Sequence, residues 1–317
     1  MNQPALQARV RTLRYEAEGV VSVELVPLEA GAFAPFEAGA HIDLHLPAGL
    51  VRSYSLLNPQ DERDRYVLGI LADAKSRGGS RYVHEQLRVG SVLPISAPRN
   101  NFALDEQASR SILIAGGIGI TPILCMARRL HALGRAADVL YCVRARRQAA
   151  FLDALQTLDS ALTLHVDEEA GVPPDLQAYL ADKPRDAHLY CCGPAPMLAA
   201  FEDACRALGF ENVHLERFSA DTTVARADEA GYVVECAQSG KTVEVPAGKT
   251  LLDALLEAGI DAEYSCMEGI CGACETRVIE GEPDHRDSVL SSAEKASNKV
   301  MMICVSGCKS GKLVLDL

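Results

Sequence analysis

Apolar and polar residues alternate in short runs through the first hundred positions of this 317-residue chain. Val20-Val21-Ser22-Val23-Glu24-Leu25-Val26, His41-Ile42-Asp43-Leu44-His45-Leu46 and Tyr66-Val67-Leu68-Gly69-Ile70-Leu71 all keep a period of two, the mark of half-buried strands. Pro27, Pro35, Pro47, Pro59 and Pro94 separate them, so Ala8 to Pro98 is predicted to be a small antiparallel β-barrel. At Ser109 the period changes. Strands are expected at 111–115, 138–143, 162–166, 188–192 and 213–217, with helices over 123–133, 149–158 and 196–208, the last ended by Gly209. Thr121 is the expected N-cap of the first helix, with Pro122 at its first position. Such alternation calls for a parallel sheet covered by helices, with its ligand at the carboxyl ends of the strands. A third pattern fills the C-terminal part. Strands at 232–236, 242–245, 275–279, 300–303 and 312–316 surround one helix, which Thr250 and Asp253 open in the manner of a capping box and Gly259 ends.

The domains expected are therefore a β-barrel over 1–106, an α/β domain over 107–218, a linker over 219–230 rich in Ala, Asp and Thr, and a C-terminal domain over 231–317. No run of eighteen apolar residues and no signal peptide is present, which predicts a cytoplasmic protein without a membrane partner. The net charge of −12 argues against nucleic acid, whose phosphates are held by Lys and Arg. The C-terminal domain alone has eight Lys/Arg against fourteen Asp/Glu, and an acidic electron carrier often meets a basic partner.

Cysteine spacing brings the chemistry. Cys266, Cys271 and Cys274 form C-x4-C-x2-C, and Cys304 follows after twenty-nine intervening residues. That is the plant-type arrangement for a [2Fe–2S] cluster, and Gly269, Gly272 and Ala273 let backbone N–H groups turn toward the sulfurs. The alternative is zinc, whose sites usually come as two C-x2-C-like pairs. Cys308 is a decoy four residues past Cys304. His285-Arg286-Asp287 has the letters of a kinase catalytic loop without its companions, and is read as surface.

In the barrel, Arg52-Ser53-Tyr54-Ser55 places Arg52 and Tyr54 on one face of a strand and Ser55 on the other. A guanidinium suits a phosphate and an aromatic ring suits a heterocycle. Gly78, Gly79 and Ser80 form a turn before a short helix, which exposes N–H groups to a phosphate; the alternative is an ordinary loop with a cap at Ser80. In the α/β domain Gly116, Gly117, Gly119, Thr121 and Pro122 lie between a strand and a helix, where small residues admit a pyrophosphate. Cys192-Gly193-Pro194 ends a second strand. Cys192 is placed beside a nicotinamide, whereas Cys191 should point into the core. Arg144, Arg146 and Arg147 lie where an adenosine would sit, and the residues alone leave NADH and NADPH open.

In this order, R-S-Y-S, G-G-I-G-I-T-P, C-C-G-P and the cysteine loop resemble the phthalate dioxygenase reductase family, which includes the vanillate demethylase reductases, over about Ala8 to Leu317. The resemblance implies an FMN barrel, an NADH domain of ferredoxin-reductase type and a plant-type β-grasp ferredoxin domain. It places Arg52 and Ser80 on the FMN phosphate, Tyr54 and Ser55 along the isoalloxazine, and Gly117, Thr121 and Cys192 beside the nicotinamide, with Phe218 near the flavin. It favours NADH. The implied activity is that of the reductase of a two-component Rieske-type oxygenase, with hydride entering at the flavin and single electrons leaving through the cluster. Ser55 and Cys192 flank that chemistry, and no general acid or base is expected to limit the rate. The alternatives are a reductase for a cytochrome P450 or a soluble acceptor, and a non-enzymatic redox sensor.

Overall fold

The computed structural model describes residues 6–74, 76, 78–158, 160–218 and 231–317. Arg77 of the glycine-rich turn and the expected linker 219–230 lie outside the described residues. The chain divides into two compact units, one ending at Phe218 and the other running to Leu317.

In the first unit, β1 (Leu6–Ala17), β2 (Val20–Pro27), β3 (His41–Leu46), β4 (Leu50–Ser55), β5 (Tyr66–Leu71) and β6 (Val92–Ile95) make an antiparallel sheet in the order β4-β3-β6-β1-β2-β5. Leu56, one residue past β4, bridges to Leu68 of β5, which joins the two outer strands into the expected barrel. Helix α1 (Gly79–Glu85) follows the glycine-rich turn.

A five-stranded parallel sheet comes next: β7 (Ser111–Gly116), β8 (Ala137–Val143), β9 (Ala161–Val166), β10 (His188–Cys192) and β11 (Val213–Glu216), ordered β11-β10-β7-β8-β9. Strands β7, β8 and β10 are buried along most of their length, as strands covered on both faces must be. Helix α2 (Ile120–Ala132) shares one core with the barrel through Ile123, Leu124 and Met126, and Tyr190 of β10 joins it. Two short helices, α3 (Leu152–Gln156) and α4 (Asp167–Ala170), precede α5 (Leu176–Leu180) and α6 (Ala195–Leu208), which cover the other face with Leu180, Leu198 and Phe201. Buried groups of α2 also reach into the barrel: the Cys125 thiol meets the Asn58 carbonyl at 3.3 Å, and the Arg128 guanidinium donates to the Leu57 carbonyl.

Four expectations need correction here. Helix α2 starts at Ile120, three residues early, so Thr121 lies inside it and donates its hydroxyl to the Ile118 carbonyl at 3.1 Å. Helix α3 covers half its predicted span because Phe151 holds a left-handed φ of +61°, which a helix cannot absorb. Strand β11 ends at Glu216, so Phe218 lies beyond it and is exposed. Ser80 likewise stands inside α1, and Gly78 with φ +104° is the cap.

The second unit has its own core. Strands β12 (Tyr232–Cys236), β13 (Lys241–Val245), β14 (Glu275–Glu280), β16 (Val300–Met302) and β18 (Lys312–Leu315) form a sheet ordered β13-β12-β18-β14-β16, and β15 (Pro283–Asp284) pairs with β17 (Gly307–Cys308). Helix α7 (Leu251–Glu257) seals the core with Leu251, Leu252 and Leu255, and its cap Thr250 accepts from the Asp253 N–H at 3.1 Å. Helix α8 (Ser292–Ser297) opens with a full capping box from Ser291 and Glu294, the Ser-x-x-Glu pattern of a helix start.

The reading of His285-Arg286-Asp287 as surface is overturned. The Asp287 side chain is fully buried and that of His285 8% exposed. Asp287 Oδ1 accepts the N–H groups of Val289 and Leu290 at 3.0 and 2.8 Å, and Ser288 N–H donates to the Gly269 carbonyl at 2.9 Å. The segment braces the cysteine loop from within.

Candidate functional site

Strand β4 sets the first part of the site. Arg52 lies opposite Leu44 and Tyr54 opposite Ile42 in the β3–β4 ladder. A Cβ added to Gly79 would come within 2.5 Å of Arg52 Cγ, so the Arg52 stem lies across the start of α1 and only glycine fits beneath it. The two phosphate-seeking pieces, Arg52 and the turn Gly78-Gly79-Ser80, are thus brought together. Ser80 Oγ accepts from the Asp73 N–H at 3.4 Å. Tyr54 is half-buried, and burial pushes its hydroxyl up to about 12, so it stays neutral and offers its ring.

The second part is a meeting of two strand ends. Parallel pairing sets Cys192 opposite Ala115, and the loops beyond them touch backbone to backbone. A Cβ on Gly119 would lie 2.5 Å from the Cys192 carbonyl carbon and 2.9 Å from Gly193 N; one on Gly116 would meet Met197 Sδ at 2.5 Å and Pro194 Cδ at 2.7 Å. Gly117, at φ +55°, faces open space. Cys192 and Cys191 point to opposite faces of the sheet, the former into the core shared with the barrel and the latter into the other. Burial drives both thiols well above their usual pKa, so neither is a thiolate. Arg146 and Arg147 are engaged in ion pairs with Glu169, Glu168 and Glu18 at 2.7–2.9 Å; Arg144 is exposed.

The third part is the cysteine loop. Its thiols fall into two hydrogen-bonded pairs, Cys266 with Cys271 and Cys274 with Cys304. The partner's hydrogen bond lowers Cys266 to about 7 and lowers Cys274, while Cys271 and Cys304 are pushed up. Backbone N–H groups converge on them: Glu268 donates to Cys266 Sγ at 3.3 Å, and the amides of Ile270, Ala273 and Gly269 turn toward Cys266, Cys271 and Cys304 in that order. Gly269 and Gly272 hold φ of +68° and +73°, which makes this inward aim possible. Ser265 adds a buried hydroxyl without a hydrogen-bond partner among the described residues. Among the same residues no three His, Cys, Asp or Glu side chains converge as a site for one metal ion. Two thiols at each of two places fit two irons and do not fit one zinc. Cys308 stands apart on β17, 3.5 Å from Ser310 Oγ.

Residues 234–309 match the model of the 2Fe-2S iron-sulfur cluster binding domain, and residues 96–215 that of the N-terminal domain of dimethylamine monooxygenase subunit DmmA-like proteins. Phenoxybenzoate dioxygenase subunit beta of Ectopseudomonas oleovorans is 48% identical, over 98% of this chain and 96% of its own. Tetrachlorobenzoquinone reductase of Sphingobium chlorophenolicum is 50% identical, over 95% and 94%. The crystal structure of phthalate dioxygenase reductase, described as modular for electron transfer from pyridine nucleotides to [2Fe–2S], superposes with a TM-score of 0.72 at 36% identity over 99% of this chain and 98% of that one. The chain belongs to the phthalate dioxygenase reductase family. An intact type IV self-sufficient cytochrome P450 monooxygenase gives a TM-score of 0.91 at 38% identity, with 99% of this reductase aligned to 41% of that chain.

Two residues of the reductase escaped the sequence reading. Glu216, at the end of β11, receives a hydrogen bond from Ser55 Oγ at 3.4 Å, and desolvation raises its carboxyl to about 8. It stands beside Cys192, its partner in the β10–β11 ladder. Gly69 of β5 is the second: a Cβ there would strike Thr121 Cγ2 at 2.6 Å and the Phe151 ring at 3.0 Å, so the barrel closes on the start of α2 through a glycine. Only the period-two position of Glu216 pointed to it, and such positions are usually solvent-facing.

Proposed function

We propose that this chain is the reductase component of a two-component Rieske-type aromatic oxygenase or demethylase, passing electrons from NADH through FMN to a [2Fe–2S] cluster and on to the oxygenase. One observation carries the reading: the four cysteines split two and two, in a family member whose flavin strand and nucleotide sheet touch at Ser55 and Glu216. When bound, the flavin links a two-electron donor to a one-electron acceptor. The protein's part is to hold and orient. Arg52 and Ser80 take the FMN phosphate, with Gly78 and Gly79 leaving room beneath the guanidinium stem. Tyr54 and Ser55 line the isoalloxazine, and Phe218 stands near it. The touching loops, Gly116 to Pro122 and Cys192 to Pro194, cradle the nicotinamide nucleotide, and Arg144 faces its adenosine end. NADH is favoured over NADPH because Arg146 and Arg147 are already neutralised by glutamates. Cys266, Cys271, Cys274 and Cys304 hold the cluster.

The electron exit is read from the loop surface. Tyr264 and Met267 are each 47% exposed on either side of Cys266, the least buried of the four ligands. From Thr250 to Thr276 the chain carries six acidic residues and no Lys or Arg. An apolar contact ringed by carboxylates suits a partner with a basic rim. The eleven free cysteines support a cytoplasmic setting. A second reading, reduction of a small quinone, has support in the 50% identity to tetrachlorobenzoquinone reductase. Anaerobic NADH titration followed by visible and EPR spectra tests the first steps: flavin absorbance must bleach and a [2Fe–2S] signal appear, and absence of either ends the reading. Added salt should then slow transfer to the oxygenase and leave quinone reduction unchanged.

Glu216 also predicts a pH effect. Its folded pKa, about 8, lies above the ordinary carboxyl value, so the folded state binds the extra proton. The stability this contributes is complete in acid and is lost as pH rises toward 8. Between pH 5.5 and 8.5 the melting temperature of Glu216→Gln should therefore fall less than that of the parent. Parallel curves would show that the carboxyl does not carry a raised pKa.

A further inference from the structure

Hydride delivery leaves the reductase with a proton to discard. A hydride is one proton and two electrons; once both electrons have gone out through the cluster, one proton per NADH must reach water. Nothing in the cofactor assignment says how it leaves. The interior offers a line of titratable groups on one face of the parallel sheet.

Strands β10 and β11 pair in parallel with Tyr190 opposite His214 and Cys192 opposite Glu216. Period two puts His188, Tyr190 and Cys192 on one face, with His214 and Glu216 beside them. The His214 ring stacks on Tyr190 at 4.5 Å and 9°, and on His188 at 5.4 Å and 18°. His214 Nε2 and His188 Nδ1 are 3.2 Å apart, so one proton lies between them. His188 Nε2 faces Asp105 Oδ2 at 3.7 Å. Exposure rises outward, from 18% for the His188 side chain to 43% for that of Asp105. At the inner end Glu216 meets Ser55. His214 and Glu216 are two residues apart on one face of one strand, a span of about 6.6 Å, and the relay requires one water hydrogen-bonded at both ends to cross it.

We propose that His214 and His188 form a proton relay connecting the Glu216 carboxyl to solvent at Asp105. The inference rests on the electron-transfer reading above. The step balances: a proton enters at Glu216, one leaves His188 to water, and each imidazole exchanges one N–H for another. The other groups facing this line do not compete for the proton. Tyr190 accepts the Asp105 N–H through its hydroxyl at 2.8 Å, Cys192 is held as a thiol by burial, and Arg217 is paired with Glu202 at 2.8 Å. Burial, then the neighbouring His188, lowers the His214 pKa, which keeps that ring neutral and able to pass a proton on.

The test mixes the holoprotein with NADH and ferricyanide in weak buffer, and times proton release to an indicator dye against electron delivery. In the parent the two should coincide. In His214→Gln and His188→Gln, proton release should lag by about tenfold or more, and added imidazole should shorten the lag. A second readout needs no turnover: by infrared spectroscopy in D2O, exchange of the protonated Glu216 carboxyl should slow in both variants. His188→Gln, at a half-buried ring, carries the test if His214→Gln loses flavin. Proton release in step with electrons, together with unchanged carboxyl exchange, overturns the relay. Failure of NADH to bleach the flavin in the parent would instead sink the electron-transfer reading, and the infrared exchange would still decide the relay.

Discussion

Replacing Cys304 with alanine should separate the two halves of the reaction. Iron content should fall and the [2Fe–2S] EPR signal disappear, while NADH continues to bleach the flavin. Transfer to a protein acceptor should drop by about two orders of magnitude or more, given that loss of even an outer partner of a metal site costs about 10- to 100-fold. Ferricyanide, which takes electrons from the flavin directly, should still be reduced. The reason lies in how the ligands are supplied. Cys266, Cys271 and Cys274 come from one loop, but Cys304 comes alone from two residues past β16 and is the thiol paired with Cys274. Without it one iron keeps a single thiolate. Cys308→Ala is the control and should retain its cluster, because that thiol sits on β17 beside Ser310. A Cys304→Ala protein with full iron would mean that Cys308 or another group serves in its place.

Gly119→Ala should abolish NADH oxidation and leave the cluster intact. The new methyl would sit on the Cys192 carbonyl, 2.5 Å from its carbon, and both parties are backbone, so no rotamer change relieves the clash. The nucleotide loop must separate from the end of β10. Chemical reduction with dithionite should still give the normal cluster signal. Gly117→Ala makes the contrast. That position has a φ of +55° and no protein atom near its added methyl, so the cost to the fold is the left-handed backbone penalty of about 1–2 kcal/mol, and NADH oxidation should persist with a raised KM, because the methyl enters the space read as the nucleotide's. Equal loss in both variants would show that conformation, and not close approach, sets the glycine requirement at Gly119.

Much of this was legible in residue order. Period two located β2, β3 and β5, and strand–helix alternation located every strand of the parallel sheet, because long buried elements impose their period on many residues at once. Cysteine spacing singled out the four candidate ligands because cluster geometry restricts it. What stayed hidden depended on single long-range contacts. Asp287 reads as a surface acid, but its carboxylate takes two N–H groups of the next turn and its backbone supports Gly269. Glu216 has no local signal beyond its period-two position, since its partner Ser55 is 161 positions away. The cap expected at Thr121 failed because its hydroxyl turned back to the Ile118 carbonyl, an alternative that Ser and Thr always offer. Arg146 and Arg147 looked like free cations because Glu168 and Glu169 follow a different strand.

The separateness of the two cores bears on ancestry. The core of the C-terminal unit is built wholly from residues between Tyr232 and Leu317, so that stretch asks nothing of what precedes it. Barrel and α/β domain, in contrast, share one interior and are stitched together by Cys125 and Arg128. Gene rearrangements that preserve folding should thus cut between Phe218 and Gly231 and spare the 106/107 boundary. A whole reductase of this kind can be spliced onto another catalytic chain as a ready-made cassette, and the self-sufficient monooxygenase, of which it matches 41%, has that composition.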